Sequence, residues 1–310
     1  MVIGCGDGFN RLGHSLAEAL HPCVRYKQVS AGYHFCVLLT DGGSVVIVDT
    51  IHPFTSCRIS DPKDGVIFLQ VSAGLTHALL LRSDGLVDTY GDNTYSQCDI
   101  PELEAGVFYT QVSAGRENSL LLRSDGKVMW CGLDAPEGVQ MLEPETGVIY
   151  TQVSAGCSHF LLLRSDGRVE ASGSNDHGEC NIPEPEAGVI YTQVSVGGSH
   201  SLLLKSDGRV VACGNNADGE CNTPEAEAGQ TYTQISAGRV HSLLLRSDGM
   251  VVACGWNFNG ECSIPLLEAG QKYVSNYVQP IHNILFQAEF LGGILKLFRL
   301  DGQVARSKWT

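Results

Sequence analysis

Six histidines recur at nearly constant spacing along the 310-residue chain, and imidazole is the side chain most used for proton transfer and metal binding near neutral pH. They are His34, His77, His159, His200, His241 and His282. Asn118 takes the same position in the remaining copy. Catalytic and metal sites are local, whereas these histidines repeat, so we predict a structural role in which each ring hydrogen bonds backbone near the first turn of its unit.

Other residue patterns that could support catalysis are missing from the sequence. It contains no Gly-x-Ser-x-Gly elbow, no phosphate-binding loop and no His-Glu-x-x-His motif. The aspartates of the repeated Asp-Gly pairs are typical turn formers. We therefore expect a protein that is not an enzyme, with no catalytic residue and no cofactor.

Twelve cysteines raise the question of disulfides or zinc. Most of them fall at two repeat positions, and equivalent positions in different units would be too far apart for a disulfide, whose Cα atoms must lie within about 7 Å. Within a unit, a disulfide between Cys213 and Cys221 or between Cys254 and Cys262 stays open. No Cys-x-x-Cys pair occurs, so no metal site is predicted. Small buried thiols are typical of reducing compartments, which predicts a cytoplasmic or nuclear protein.

A glycine that follows Ser-Ala or Ser-Val marks the period of the chain. It falls at Gly32, Gly74, Gly115, Gly156, Gly197 and Gly238, in steps of 42 and then 41 residues. A fixed period in the range of about 20 to 50 residues indicates stacked or radially arranged units. These glycines are predicted to be structural.

Each unit reads as four short strands, illustrated by Tyr232–Ser236, His241–Leu245, Met250–Cys254 and the weaker Gly260–Pro265. Apolar runs of about five residues bounded by glycine turns favour strands over helices. The Asp-Gly pair between the second and third runs is a hairpin signal. One unit is therefore predicted as a four-stranded antiparallel meander.

Counting second strands gives seven units, the last of them degenerate, with an insert near residues 287–299. Near the start of the chain, Val2–Gly6 resembles the third strand of a unit, Val251–Gly255. A displaced strand of this kind indicates a closed ring. The predicted fold is all-β: a seven-bladed β-propeller of four-stranded antiparallel blades, closed by an N-terminal strand that joins the last blade, with residues 1–310 as a single domain.

The repeat pattern Val-Ser-Ala-Gly-x-x-His-Ser-Leu-Leu-Leu-x-Ser-Asp-Gly-x-Val resembles that of the regulator-of-chromosome-condensation family, over nearly the whole chain. The chain departs from the family pattern in two places. Ala212-Cys213 and Ala253-Cys254 replace an aromatic, and Gly-Glu-Cys-Asn-Ile-Pro replaces Gly-Gln-Leu-Gly. The chain is thus similar to a divergent branch, and it also resembles the propellers of HERC-type ubiquitin ligases.

The net charge of −14 argues against binding to a nucleic-acid backbone, which requires a surplus of lysine and arginine. It leaves a basic protein partner open. No apolar run approaches the roughly 18 residues of a membrane span, and no signal peptide is predicted. Oligomeric state is not indicated by any feature of the sequence.

The units differ from one another mainly in two kinds of loop, the turn after the first strand and the loop after the third. In an up-and-down blade both lie on one face of the ring, and loops on a rigid frame commonly carry recognition. Tyrosine, tryptophan and arginine are common anchors of interfaces. The predicted partner-binding residues are Tyr33, Tyr95, Arg116, Arg239, Trp256 and Phe258.

These observations favour a non-enzymatic protein-interaction scaffold or assembly subunit. The family resemblance implies two alternatives: a guanine-nucleotide exchange factor for a small GTPase, and a substrate-recruiting module associated with ubiquitin ligation. On the opposite face, the sequence places basic residues before the Asp-Gly turns and acidic pairs in the crossings between units, and we expect these charges to solvate that face.

Overall fold

The computed structural model describes residues 2–4, 24, 26–32, 35–49, 57–58, 65–133, 135, 139–258, 260–264, 273–274 and 285–288. In these residues the chain forms strands and no helix. Consequently, no helix of the described part could cross a membrane. The strands are β1 (Val2–Gly4), β2 (Tyr26–Ala31), β3 (Phe35–Thr40), β4 (Val45–Asp49), β5 (Cys57–Arg58), β6 (Phe68–Ala73), β7 (His77–Arg82), β8 (Val87–Gly91), β9 (Tyr109–Ala114), β10 (Asn118–Arg123), β11 (Val128–Gly132), β12 (Val139–Leu142), β13 (Tyr150–Ala155), β14 (His159–Arg164), β15 (Val169–Gly173), β16 (Tyr191–Val196), β17 (His200–Lys205), β18 (Val210–Gly214), β19 (Tyr232–Ala237), β20 (His241–Arg246), β21 (Val251–Gly255), β22 (Tyr273–Val274) and β23 (Leu285–Ala288).

Each repeat folds on itself as an antiparallel sheet, and this confirms the all-β prediction. The first strand of a repeat pairs with the second and the second with the third, as in β13-β14-β15 and β16-β17-β18. The sheets β6-β7-β8 and β19-β20-β21 have the same order, and β2 to β5 and β9 to β12 form four-stranded sheets. A further sheet has the order β1-β23-β22.

The predicted fourth strand is not a general feature of the described repeats. It exists as β5 and β12, but Gly260–Ile264, where the sequence predicts a strand, consists of turns, as do the equivalent residues 178–182. The backbone there is satisfied locally, because Asn257 Oδ1 accepts the Cys262 N–H at 2.8 Å and Asn175 Oδ1 accepts the Cys180 N–H at 2.9 Å. Asparagine offers backbone donors an alternative to a ladder, and this explains why the strand prediction was wrong there.

The core lies between successive sheets. Leu120 and Leu122 of β10 pack with Tyr150, Val153 and Phe160 of the next repeat. The same leucine run also sends Leu121 to the other side, against Leu79 of the preceding repeat. Both faces of the second strand are therefore covered, and this accounts for a leucine run that does not alternate with polar residues.

A second set of contacts joins the first strands of successive repeats through side-chain amides. Gln152 Nε2 donates to Val194 O at 3.0 Å, and Gln152 Oε1 accepts the Val194 N–H at 2.9 Å. Two residues on, Ser154 Oγ accepts the Val196 N–H at 3.0 Å. We call this repeated pattern the Gln–Ser ladder; it comprises Gln28 and Ser30, Gln70 and Ser72, Gln111 and Ser113, Gln152 and Ser154, and Gln193 and Ser195.

The buried histidines join the second strands, although not through the backbone bond that the sequence suggested. His77 Nε2 lies 2.9 Å from Ser119 Oγ of the next repeat, and Ser119 Oγ donates to Gln97 O. His159 and His200 form the same bonds to Ser201 and Ser242. Since the hydroxyl already donates to a carbonyl, the imidazole must donate to it from Nε2. Burial lowers the pKa of these rings and keeps Nδ1 unprotonated near neutral pH.

Asn118 replaces histidine where the serine is also missing. The residue that would face it in the next repeat is Phe160, whose ring packs edge-on against Trp130 with centroids 5.2 Å apart. An imidazole without its hydroxyl acceptor would leave a buried donor unpaired, at a cost of about 1–3 kcal/mol. At this interface both the histidine and the serine are absent.

Candidate interaction surface

The turn after each first strand and the loop after each third strand lie together, as the sequence predicted. Their backbones are joined by hydrogen bonds such as Asp92 N–H to Thr76 O at 3.0 Å and Ser174 N–H to Ser158 O at 2.8 Å. Trp256 N–H donates to Val240 O at 2.9 Å in the same way. We call the surface formed by these turns and loops the loop face.

The first turns also touch one another from repeat to repeat. Arg116 N–H donates to Gly156 O, and Gly198 N–H donates to Arg239 O, both at 3.1 Å. A Cβ placed on Gly74 would lie 2.2 Å from Gly115 O, so only glycine permits this approach. The repeated glycines therefore bring the variable turn residues next to one another.

One repeat brings three of the predicted binding residues together. Trp256 and Phe258 lie in the same loop with ring centroids 5.9 Å apart, and Arg239 precedes Val240, whose carbonyl holds the Trp256 N–H. Phe258 is 83% exposed and Trp256 is 39% exposed. Arg239 is exposed and forms no ion pair with any described residue. An exposed aromatic pair beside an unpaired guanidinium is a composition typical of interface anchors.

Tyr95 and Arg116 belong to two successive repeats. Tyr95 is 43% exposed, and its N–H donates to Gln97 Oε1, while Gln97 O receives the hydroxyl of Ser119 in the next repeat. Arg116 is exposed and lies 3.8 Å from Glu117 in an ion pair.

Arg116 and Arg239 both act on Cys157, the turn residue of the repeat that follows Arg116. Burial raises the pKa of the Cys157 thiol, against the lowering effect of the Arg239 and Arg116 guanidiniums. The intervening turn residue is Gly198, which has no side chain, and the Arg239 Cγ would lie 3.1 Å from a Cβ placed there. The two arginines thus approach the same small area of the loop face. Tyr33, His34 and His282 lie outside the described residues.

A model of a known protein family matches four of the repeats described above. The family model described as "Regulator of chromosome condensation (RCC1) repeat" matches residues 68–97, 150–179, 191–220 and 232–261. The chain contains regulator of chromosome condensation repeats at these four positions. No curated protein matches it in sequence.

Solved structures share the fold of these RCC1 repeats. Human WBSCR16 is 20% identical, with a TM-score of 0.68 over 84% of this chain and 87% of the other. Prp20p from Saccharomyces cerevisiae is 16% identical, with a TM-score of 0.64 over 78% and 74%. The ectodomain of the receptor kinase ACR4 from Arabidopsis thaliana is 17% identical, with a TM-score of 0.59 over 82% and 87%.

The loops of the RCC1 repeats are held by buried side chains that the sequence analysis missed. Glu179 is 1% exposed; its Oε2 accepts the His177 N–H at 2.8 Å and its Oε1 accepts the Ser174 hydroxyl at 2.9 Å. Burial on its own would raise the pKa of Glu179, but these hydrogen bonds outweigh burial and lower it. Gln97 and Glu220 are buried at the same position. Their fixed place directly before a repeated cysteine was the available signal.

On the opposite face of the RCC1 repeats, the basic residues are buried and paired, whereas the sequence predicts that they are solvated. We call this face the turn face; it contains the Asp-Gly turns and the crossings between repeats, joined by bonds such as Tyr150 N–H to Gly126 O at 2.9 Å. Arg164, before one such turn, is buried and lies 2.8 Å from Asp166 and 3.1 Å from Glu145. Arg123, Lys205 and Arg246 are equally covered and paired. These cations therefore fasten each crossing to its turn.

The cysteines of the described RCC1 repeats are free thiols, including Cys213, Cys221, Cys254 and Cys262, whose pairing the sequence had left open. Burial raises the pKa of Cys213 to about 11 and that of Cys221 to about 12. Such thiols stay protonated near neutral pH and are poor nucleophiles. In the described part of the chain, no cluster of three or more histidine, cysteine or carboxylate side chains could hold a metal ion.

Proposed function

We propose that this RCC1 repeat protein is a non-enzymatic protein-interaction scaffold or assembly subunit that binds its partner through the loop face. The observation that carries the proposal is the contrast between a frame that repeats and a loop face that does not. The Gln–Ser ladder recurs from β2 to β19, while the loops it supports carry different side chains in each repeat. Side chains that the frame does not require are free to be selected for binding.

The proposed ring has seven blades and is closed by the N-terminal strand. In support, β1 takes the place of a third strand in the sheet β1-β23-β22, and Val2 faces Gln287 as Val251 faces Leu245, 42 residues earlier. Strand β23 also contacts β2 of the first repeat. A closed ring would hold the loops around a common axis. The blades would be three-stranded wherever turns replace the fourth strand.

The proposed absence of catalysis is supported by the burial of the His–Ser pairs in the described part of the chain. Three pairs have the residue types of a nucleophile and its base: His77 with Ser119, His159 with Ser201, and His200 with Ser242. All six residues are buried, and each hydroxyl donates to a backbone carbonyl. A substrate could not reach them without separating two repeats. We also propose a cytoplasmic or nuclear location, supported by the free thiols of the described repeats.

The test removes the exposed aromatic pair. In the variant Trp256→Ala/Phe258→Ala we expect recovery of partners cross-linked in native extract to fall by about tenfold or more, because hot spots concentrate in such residues. Met250→Ala is the matched control, since Met250 is a similarly exposed apolar residue of the same repeat on the turn face. Equal recovery with all three proteins would contradict the proposal.

The alternative is nucleotide exchange on a small GTPase. It is favoured by one comparison, because the Prp20p structure is described by that protein's binding properties to Gsp1p and histones. The described repeats keep a 41-residue spacing and leave no projecting hairpin among them. Release of fluorescent GDP from small GTPases, with and without the protein, distinguishes the two functions.

A further inference from the structure

The turn face carries an apolar feature that its repeated charges conceal in the sequence. Directly before the first strand of four successive repeats stands a large apolar residue that is between 39% and 49% exposed. We call this set the apolar arc; it consists of Ile67, Phe108, Ile149 and Ile190. In the next repeat the position belongs to Thr231, where the arc ends.

The members of the apolar arc occupy equivalent positions in successive repeats. Each packs on the glycine of the preceding Asp-Gly turn: a Cβ on Gly126 would lie 2.3 Å from the Ile149 Cβ, and one on Gly167 would lie 2.4 Å from the Ile190 Cβ. The strands that they precede, β6, β9, β13 and β16, are neighbours joined by the Gln–Ser ladder. Part of each side chain therefore seals a turn, and the rest is exposed at the same position of successive repeats.

The surroundings of the apolar arc are acidic. The crossings that lead to it carry exposed glutamates in pairs, and the second glutamate of a pair, such as Glu145 or Glu186, is taken up by a buried cation. Glu102 and Glu184, in the crossings to Phe108 and Ile190, are exposed and have no ion pair among the described residues. Glu225 is equally exposed and unpaired in the next crossing, which leads to Thr231 at the end of the arc. Arg168 is the exposed cation of the described turns that likewise has no ion pair. An excess of free carboxylates beside an apolar edge is complementary to a partner that is both apolar and basic.

We propose that the apolar arc is a second docking site, which binds a basic amphipathic segment of a protein partner. Apolar side chains of the segment cover the exposed halves of Ile149 and its neighbours, and flanking lysines or arginines lie against Glu102, Glu184 and Glu225. This site is on the opposite face from the surface of the proposed function and does not depend on it. Amphipathic segments with apolar residues every three or four positions fit such edges.

The probe is a fluorescent peptide of about 18 residues, or about five helical turns, made of leucine and lysine with the leucines on one face. Fluorescence anisotropy measures its binding to the full chain. The variant Ile149→Thr/Ile190→Thr copies the side chain that Thr231 already supplies at this position, and circular dichroism checks that it folds. We expect about tenfold weaker binding by this variant. Trp256→Ala/Phe258→Ala, on the loop face, is the control and should bind as the unaltered chain does.

A leucine and glutamate peptide with the same leucine pattern tests the role of charge, and its binding should be at least about tenfold weaker. Equal binding of the basic peptide by the threonine variant, no binding by the unaltered chain, or equal binding of the acidic peptide would overturn the proposal. Two other occupants are tested directly. If the unaltered chain self-associates and the threonine substitutions abolish this, the occupant is a second copy of the chain. If the substitutions abolish binding to phosphatidylserine vesicles and leave peptide binding unchanged, the occupant is a membrane surface. Either result would overturn the proposal of a peptide segment.

Discussion

The buried histidines determine how the protein responds to acid. Burial lowers the pKa of His77, His159 and His241 to about 4 and that of His200 to about 3, below the value of about 6.5 for a free imidazole. Burial disfavours the charged form of each ring, so the folded state keeps it neutral near pH 7. In the unfolded chain these rings are free to take up protons.

The first prediction concerns this titration. Because the pKa is lower in the folded state, the contribution of each histidine to stability is complete above about pH 6.5 and is lost as the pH falls toward about 4. We expect the free energy of unfolding in urea to decrease by about 1 kcal/mol or more per histidine between pH 7.5 and pH 5. Urea titrations at a series of pH values measure it.

The variant His200→Asn is the control for the acid response, since Asn118 shows that asparagine is accepted at this position. It should be less stable near neutral pH but lose less stability on acidification. A free energy of unfolding that is independent of pH over this range would show that the rings are not held neutral.

At the scale of the strand, the Gln–Ser ladder does what a continuous β-sheet would otherwise do. Adjacent first strands do not pair as a ladder; Gln152 instead bonds both the N–H and the carbonyl of Val194. One side chain thereby satisfies two buried backbone groups. Loss of that amide would leave both of them unpaired in the interior.

The second prediction follows from this contact. Gln152→Leu should lower the free energy of unfolding by about 2–4 kcal/mol, because unpaired buried polar groups cost about 1–3 kcal/mol each. The neighbouring Thr151→Val is the control: the Thr151 hydroxyl bonds Leu163 O at 3.2 Å but the residue is exposed, and we expect a change below about 1 kcal/mol. Equal effects of the two substitutions on urea unfolding would show that the amide has no special role.

The strands and turns also show which parts of the fold the sequence predicts. Apolar runs and Asp-Gly turns gave the three strands of each repeat, since those signals are local. The sequence predicts a fourth strand in each unit, but residues 178–182 form turns. The bond from Cys180 N–H to Asn175 and the bonds of the buried Glu179 are contacts within one loop, and hydrophobic periodicity does not predict them. The hydroxyl partners of His77, His159 and His200 lie 42 residues away in the next repeat, so one unit considered alone suggests a backbone partner instead.

In the whole molecule, the proposed closure of the ring depends on the pairing of β1 with β23. Of the proposed binding residues, the structure groups Arg239 with Trp256 and Phe258. Arg116 approaches the same area, and the sequence of one repeat does not predict this. That convergence depends on the order in which the repeats follow one another. The sequence therefore predicts the frame well and the composition of its surface only in part.

The third prediction tests the contact between the ends of the ring. Replacing Val2–Gly4 by prolines would remove the backbone donors that face Leu285, Phe286 and Gln287, and should release β1 from its sheet. Hydrogen exchange should then increase in β2, which contacts β23, while exchange in β14 on the far repeats stays unchanged. An unaltered exchange pattern in β2 would contradict the proposed closure.

The Gln–Ser ladder has a consequence for how such a chain can change over generations. Each glutamine and serine recognises main-chain atoms of the following copy, and every copy offers those atoms whatever its side chains are. Duplication, deletion or exchange of a single 41-residue cassette would thus leave the joints intact at either side. New side chains can accumulate on the surface of one cassette without altering these main-chain joints to its neighbours.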